Sequence, residues 1–296
     1  MGEQRAAQAT GLDRWLDVRG IQLHFKEWPG EASEAPFVLV HGLSSNLRTW
    51  EGLADLLSAS GHRVVAVDQR GHGLSGKPET GYGFEEVTAD IRELIGALGF
   101  RRRPIVAGQS WGGAVVLDLA ALNPGLASGI ILVDGGFMEL SSRPGATWGR
   151  VSVELRPPQL AGTPRSEMLE RMRRFHPDWT DEGIDRTLGN FEVLPDGTVR
   201  PWLTLDRHMQ ILRAMWDHRT SQLYARVEEP ALLCPAARGD PARVALKREG
   251  VAHASAALPR ARVHWFEDTD HDVHVHRPNE LARVILDSVA DGFFKG

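Results

Sequence analysis

The feature that most constrains the fold is a set of four short, continuously apolar runs separated by helix-like segments. The runs are PFVLVHG (36–42), RVVAVDQ (63–69), PIVAGQ (104–109) and GIILVDGG (129–136). Between them, apolar residues recur at spacings of three and four, as an amphipathic helix requires. Continuous apolar runs are typical of parallel strands covered on both faces. The alternation therefore predicts an α/β protein with a largely parallel sheet.

The alternation is interrupted once. From about residue 137 to 225 the chain becomes rich in Arg, Pro and Trp, with helix-like pieces such as RSEMLERMRRF. The earlier pattern then resumes with the apolar run PALLCPA (230–236) and continues to a final helix-like segment. We interpret residues 1–136 and 226–296 as one α/β core domain, and residues 137–225 as a helical cap (lid) domain inserted into it.

Composition excludes several classes of protein. With 296 residues, 42% hydrophobic, 25% charged and a net charge of -5, the chain is an ordinary globular one, and nothing indicates a nucleic-acid or membrane-binding surface. Cys234 is the only cysteine, so an intrachain disulfide is excluded. No signal peptide or membrane span is recognisable. We expect a cytoplasmic protein that binds neither nucleic acid nor membranes; its oligomeric state stays open.

A serine stands between two glycines where the third apolar run passes into a helix-like run. The pentapeptide Gly108-Gln109-Ser110-Trp111-Gly112 fits the G-x-S-x-G pattern of a nucleophile elbow. A sharp turn there needs glycines where a Cβ would collide with a neighbouring strand or helix. The free N–H groups at the start of the following helix favour a developing negative charge. Ser110 is therefore the candidate nucleophile.

Four motifs occur in order along the chain. They are HGLSSN (41–46), DQRGHGLS (68–75), GQSWGG (108–113) and DTDHDVHVHRPNELA (268–282). With these motifs the chain resembles the α/β-hydrolase superfamily over nearly all of its length. The resemblance implies a mostly parallel eight-stranded sheet flanked by helices, with the cap inserted after the sixth strand. It also implies acyl transfer to Ser110, with the backbone N–H groups of Leu43 and Trp111 forming the oxyanion hole.

A serine hydroxyl needs a base to take its proton, and histidine is the usual one. The resemblance places that base at His271, after a strand and before the final helix. His274 and His276 alternate with it, and three histidines in one loop can bind zinc. Because no other His/Cys cluster completes such a site, we predict no metal and no cofactor. We expect His274 and His276 to be loop or helix-cap residues.

The acid that orients the histidine has two candidates. Many members of the superfamily carry it after the strand that follows the cap, where Asp240 stands in this chain. Other branches carry it after the strand that precedes the cap, where Asp134 stands in ILVDGG. We favour Asp134 and keep Asp240 as the alternative.

The cap, by the same resemblance, covers the nucleophile and lines the substrate pocket. Such pockets are mostly apolar with a few polar groups. We predict an aromatic lining formed by Trp111, Phe137, Trp148, Trp179, Trp202 and Trp216. The expected substrate is a small, fairly hydrophobic carboxylic ester or lactone, and capped lactonases of the zearalenone-hydrolase type are the branch to compare.

Other activities remain possible on the same residues. A carbon–carbon bond hydrolase or a cofactorless peroxidase-like enzyme would use the same triad, and a hydrolase-fold receptor for a small ligand would use the same pocket. Haloalkane dehalogenases and epoxide hydrolases of this fold need a carboxylate nucleophile, which Ser110 is not. The chain also lacks a dinucleotide-binding G-x-G-x-x-G between its first strand and helix, and it lacks a P-loop.

Overall fold

The computed structural model describes residues 11–295. Their strands form one large sheet and one small sheet. The strands are β1 (Leu12–Val18), β2 (Ile21–Trp28), β3 (Phe37–Val40), β4 (Val64–Val67), β5 (Ile105–Gln109), β6 (Gly129–Val133), β7 (Thr163–Pro164), β8 (Phe191–Val193), β9 (Thr198–Pro201), β10 (Ala231–Cys234) and β11 (Ala261–Val263). The large sheet has the order β1-β2-β4-β3-β5-β6-β10-β11. The pairs that β2 makes with β1 and β4 are antiparallel and the other five pairs are parallel, so the predicted mostly parallel eight-stranded sheet is confirmed.

Helices cover both faces of the large sheet. The helices of the described residues are α1 (Glu51–Ala59), α2 (Phe84–Ala97), α3 (Trp111–Leu122), α4 (Trp148–Glu154), α5 (Arg165–Phe175), α6 (Asp181–Leu188), α7 (Leu205–Asp217), α8 (Pro241–Ala257), α9 (Val273–His276) and α10 (Pro278–Ala290). Those that cover the sheet lie outside the segment between β6 and β10. Strand side chains alternate between the faces. Val38 and Val40 of β3 pack with α2 and α3, whereas Phe37 and Leu39 pack with α1 and α10. Each central strand is therefore buried on both faces.

The segment between β6 and β10 contains α4 to α7, and so begins after the sixth strand as expected. It is not purely helical, because β7, β9 and β8 form a three-stranded antiparallel sheet within it. These strands have two to four residues, too few to show a period of two in the sequence. The one local signal was Pro195-Asp196-Gly197, the turn of the β8–β9 hairpin, where Gly197 has a φ of 80°.

Two further observations concern the single cysteine and the length of the helices. Cys234 is buried in β10, and burial raises the pKa of its thiol, as befits a structural residue. No helix within residues 11–295 has both the length and the apolar character that crossing a membrane requires.

Candidate active site

The candidate nucleophile lies in a strained turn between β5 and α3. Ser110 has a φ of 54°, in the left-handed region that non-glycine residues rarely adopt. A Cβ on Gly108 would lie 2.1 Å from the carbonyl oxygen of Gly112, and one on Gly112 would lie 2.4 Å from that of His41. The two glycines are therefore required by close backbone approaches, and the turn has the geometry of a nucleophile elbow.

His271 and Asp134 meet across the carboxyl edge of the sheet. His271 lies in the loop between β11 and α9, and its Nδ1 is 2.6 Å from Oδ2 of Asp134. Asp134 directly follows β6, is buried, and accepts a second hydrogen bond of 2.9 Å at Oδ1 from the backbone N–H of Ala236. An ionised carboxylate only accepts hydrogen bonds, so it keeps the proton of His271 on Nδ1. The Nε2 lone pair is thereby left for another proton.

The alternative acid has a different role. Asp240 is the N-cap of α8, and its carboxylate accepts a hydrogen bond of 2.9 Å from the backbone N–H of Arg243. Within the part of the chain that the structure describes, the carboxylate bonded to His271 is that of Asp134. The geometry thus favours the acid that precedes the cap.

A third side chain, unexpected from the sequence, contacts the same carboxylate. Lys247 of α8 places Nζ 2.8 Å from the carboxylate of Asp134 and 2.8 Å from the carbonyl oxygen of Ala236. No motif surrounds it in VALKREG, so no local signal singled it out. The ion pair is nearly enclosed, because the Asp134 and Lys247 side chains are 1% and 19% exposed.

These contacts shift the pKa values of His271 and Asp134. Burial alone would lower the pKa of His271, but the hydrogen bond and charge of Asp134 outweigh it and raise the pKa above its ordinary value. The charge of Lys247 opposes that rise. Burial would raise the pKa of Asp134, yet the His271 hydrogen bond and the nearby positive charges hold it below its usual range. Asp134 therefore stays ionised at neutral pH.

The predicted oxyanion donors lie beside the serine. Trp111 is the first residue of α3, where a backbone N–H has no partner within the helix. Leu43 lies on the loop after β3, and a Cβ on the preceding Gly42 would be 3.1 Å from Cβ of Ser110. Among the residues described, neither the Leu43 nor the Trp111 N–H finds an acceptor in the protein. Both N–H groups are thus available to an anion near Ser110.

The loop that carries Leu43 is held from two sides. Ser44 has a φ of 59°, and its backbone N–H donates to Nε2 of His72 over 3.2 Å. From α7, Nδ1 of His208 lies 2.9 Å from Oγ of Ser44, while its Nε2 lies 3.1 Å from the carbonyl oxygen of Leu155. Since the carbonyl must accept, Nε2 carries the proton and Ser44 donates to Nδ1. A side chain of α7 therefore contributes to the position of this loop.

Ser110, Asp134 and His271 all line one cavity of about 1210 Å³ between the sheet edge and the segment that joins β6 to β10. Part of its wall is apolar, with Phe84 and Ala114 from the core and Leu140, Val151, Leu212 and Met215 from the segment between β6 and β10. The cavity is large for a small-molecule site, whose volumes are commonly about 300–1,000 Å³.

Another part of the wall is charged, which the sequence analysis did not predict. Arg143, Arg238 and Arg243 line the cavity together with Glu154. The Arg243 guanidinium is 2.8 Å from the Glu154 carboxylate, and the Arg143 guanidinium is 4.0 Å from it. Arg143 is half-buried, and burial lowers the pKa of its guanidinium. The cavity therefore has a charged region, in which arginines and carboxylates are paired, beside an apolar one.

The predicted aromatic lining requires correction. Of the six residues, Trp111 lines the cavity, and the other five lie elsewhere. Trp148 and Trp216 pack against each other, with ring centroids 6.2 Å apart, in a small apolar cluster of the inserted segment. Phe137 is buried in the core cluster that includes α2 and α3.

Trp179 and Trp202 also lie outside this cavity. Trp179 stacks on His176 at 3.8 Å and donates a 3.0 Å hydrogen bond to Asp270. Trp202 lines a separate cavity of about 340 Å³, with the Lys77 ammonium 4.8 Å from its ring centroid. Tryptophan is amphipathic, so its place in a sequence does not tell which apolar cluster it joins.

His274 and His276 lie in α9 rather than around a shared centre. His274 is buried and stacks on Trp50 at 4.1 Å, and burial lowers its pKa to about 3. Nδ1 of His276 accepts a 3.1 Å hydrogen bond from the backbone N–H of Asp270. Across residues 11–295, no three His, Cys, Asp or Glu side chains come together as metal ligands would.

The chain is similar in sequence to known proteins. Residues 37–284 match the sequence model described as the alpha/beta hydrolase family. The chain is 37% identical over 123 residues to 2-(acetamidomethylene)succinate hydrolase of Mesorhizobium japonicum, covering 42% of each chain. It is 32% identical over 114 residues to a non-heme chloroperoxidase of Streptomyces lividans, covering 38% of this chain and 41% of that one. These alignments span about two fifths of the relatives' lengths.

Solved structures are similar over more of the chain. The crystal structure of E-2-(acetamidomethylene)succinate hydrolase has a TM-score of 0.80 at 24% identity, covering 95% of this chain and 99% of that one. The enol-lactonase from Burkholderia xenovorans has a TM-score of 0.66 at 21% identity, covering 94% and 100%. At these identities the likeness is one of fold.

Proposed function

Since the chain belongs to the α/β-hydrolase family, we propose that it is a serine hydrolase that cleaves a carboxylic ester or lactone of a small, fairly hydrophobic substrate. The observation that carries this proposal is the 2.6 Å contact between His271 and Asp134 in the cavity that also exposes Ser110. A serine, a histidine and a carboxylate brought together in this way are the components of acyl-transfer catalysis.

In the proposed reaction, Oγ of Ser110 attacks the carbonyl carbon while Nε2 of His271 takes its proton. The negative oxygen that forms is stabilised by the N–H groups of Leu43 and Trp111. His271 then returns the proton to the leaving oxygen, and an acyl group remains on Ser110. A water molecule, deprotonated by His271, releases the acid and regenerates the serine. In a lactone the leaving oxygen stays attached to the acyl chain.

Asp134 supports both steps. Its carboxylate holds His271 in the tautomer that presents a lone pair at Nε2, and it stabilises the imidazolium that forms. Lys247 and the Ala236 N–H fix this carboxylate in turn. The positive charge of Lys247 disfavours the imidazolium, so it moderates the rise that Asp134 causes in the pKa of His271.

The cavity supports a substrate with an apolar body. Its apolar wall lies beside α3, which begins at the nucleophile, and its volume of about 1210 Å³ leaves room for a bulky ester or a ring. A protein of the same fold is named an enol-lactonase, which is consistent with a lactone as one substrate form.

The test is hydrolysis of a chain-length series of p-nitrophenyl esters and of an aromatic macrolactone. We expect turnover in the wild type, and a fall of about 10⁶-fold in kcat for Ser110→Ala, because that variant lacks the nucleophile. Ser128→Ala is the matched control, since the Ser128 hydroxyl has no hydrogen-bond partner among the described residues. Equal turnover in the two variants, with both folded, would overturn the proposal.

The chloroperoxidase relative favours a second candidate activity on the same residues. Hydrogen peroxide in place of water at the acyl-Ser110 would release a peracid. Peracid formation from acetate and hydrogen peroxide, at a rate above that of ester hydrolysis, would favour this activity over plain hydrolysis.

A further inference from the structure

A second histidine–carboxylate pair lies on the wall of the same cavity. His218 directly follows α7, and its Nε2 is 3.0 Å from Oδ1 of Asp118 in α3. The His218 ring stacks on Phe84, with centroids 3.7 Å apart and planes at 16°. His218 and Phe84 both line the cavity, so the pair borders the space in which Ser110 lies.

Asp118 is an unusual residue for its helix. All but two residues of α3 are buried, and their side chains are otherwise apolar. A buried carboxylate is costly unless it is paired, and an apolar residue would pack here without that cost. The chain instead has Asp118 at this position, with His218 as its hydrogen-bond partner. A binding role for the His218 imidazole in the cavity accounts for keeping this costly pair.

The contact with Asp118 determines which ring nitrogen of His218 is free to bind a ligand. An ionised carboxylate accepts hydrogen bonds only, so Asp118 keeps a proton on Nε2 of His218. In the neutral ring, Nδ1 then carries a lone pair. In the part of the chain that the structure describes, Nδ1 has no hydrogen-bond partner, and 14% of the His218 side chain stays exposed. The ring therefore offers an acceptor at the cavity wall.

We propose, on the basis of the serine-hydrolase function above, that His218 and Asp118 form a substrate-binding subsite that accepts a hydrogen bond from a hydroxyl group of the substrate. Phe84, Leu212 and Met215 line the same cavity and supply the apolar contacts for the chain or ring that carries this hydroxyl. A few placed polar groups in an apolar wall are what fix a ligand's orientation.

The fold also sets the spacing. Asp118 lies two turns along the helix that begins just after Ser110, and at 1.5 Å per residue this is about 10 Å. Nδ1 of His218 lies on the side of the ring away from Asp118, so this rise sets only the scale of the separation. The favoured substrate is an ester or lactone with a hydroxyl on the order of 10 Å from the carbonyl carbon. Substrates with a hydroxyl close to the carbonyl cannot reach both groups.

The experiment compares kcat/KM for p-nitrophenyl alkanoates with kcat/KM for the matching ω-hydroxyalkanoates across a range of chain lengths. In the wild type we expect the hydroxylated ester to be preferred about tenfold at one chain length, the effect of one hydrogen bond. His218→Phe keeps an aromatic ring against Phe84 but has no acceptor, so this preference should disappear, with kcat/KM falling about tenfold more for the hydroxylated ester than for the parent ester. Asp118→Asn, which weakens control of the tautomer, should lose part of the preference.

His253→Phe is the matched control, because His253 is exposed on α8 and does not line the cavity; it should keep the full preference. The proposal is overturned if the wild type shows no preference, if His218→Phe retains it, or if ω-carboxy esters are favoured instead. It is also overturned if His218→Phe slows both ester series equally and lowers Tm, which would make the pair an anchor of the cap only.

If no ester is cleaved at all, the serine-hydrolase proposal fails, yet the subsite is still testable. Calorimetric binding of alkanols and of the matching diols to Ser110→Ala and to Ser110→Ala/His218→Phe then decides it. A preference for the diol that vanishes in the double variant supports the subsite, and equal affinities overturn it.

Discussion

The two sides of the cavity are built in different ways. On the core side, Ser110, Asp134 and His271 follow the ends of strands, and main-chain contacts hold their positions: Ser110 and Asp134 have positive φ angles, and the Ala236 N–H binds Asp134. On the cap side, residues reach the core through side chains, as His208 does to Ser44. Main-chain placement tolerates little change, whereas side-chain contacts adapt. We therefore expect core-side residues to govern the chemical step for every substrate, and cap-side residues to govern which substrate is preferred.

The largest expected effect tests the core side. Asp134→Asn should lower kcat by about 10⁴-fold, because the amide no longer holds His271 in the required tautomer. Asp240→Asn is the matched control and should keep most of the activity, since that carboxylate caps α8. The measurement is kcat on the best p-nitrophenyl ester. A larger loss for Asp240→Asn than for Asp134→Asn would assign the acid to the strand after the cap.

The next largest effect concerns His208. This residue lies on the cap side but contacts a loop of the core, so it is an exception to the division between the two sides. His208→Ala removes the acceptor of the Ser44 hydroxyl, so the loop carrying the Leu43 N–H loses one of its supports. We expect kcat to fall roughly tenfold for every ester, less than the full loss of one oxyanion donor.

The control for this effect removes the same hydrogen bond from the other side. Ser44→Ala keeps the bond between His208 and the Leu155 carbonyl, and it should reproduce the fall in kcat. If either variant changes KM for long esters and leaves kcat unchanged, His208 influences substrate preference, like the other cap-side residues, and is not an exception.

The smallest expected effect concerns pH. The positive charge of Lys247 lowers the pKa of His271, so Lys247→Met should raise it further above its ordinary value. His271 acts as a base only when neutral, and kcat/KM is lost as pH falls through that pKa. The acid limb of the kcat/KM profile should therefore move to higher pH, with a several-fold loss of activity on that limb and little change at alkaline pH.

Lys26→Met is the control for the pH prediction. Lys26 pairs with Glu51 over 2.7 Å and does not line the cavity, so its loss should leave the acid limb in place. A limb that moves to lower pH in Lys247→Met would mean that the lysine acts chiefly by ordering Asp134, not through its charge.

The sequence by itself determined the parts of the molecule that depend on consecutive residues. Continuous apolar runs specify buried strands because both faces of each strand are covered. The elbow at Ser110 depends on glycines two residues away on either side, so the pentapeptide contains its own geometry. The end of β6 likewise placed Asp134 at the sheet edge, where the carboxyl ends of parallel strands meet.

Only the tertiary structure decided contacts between residues far apart in the chain. Asp134 rather than Asp240 meets His271, because Asp240 turns its carboxylate to the start of α8. Lys247 reaches Asp134 from the same helix, which no local pattern foretold. The tryptophans of the inserted segment pack away from the cavity because several clusters compete for apolar side chains, and a sequence does not say which one wins.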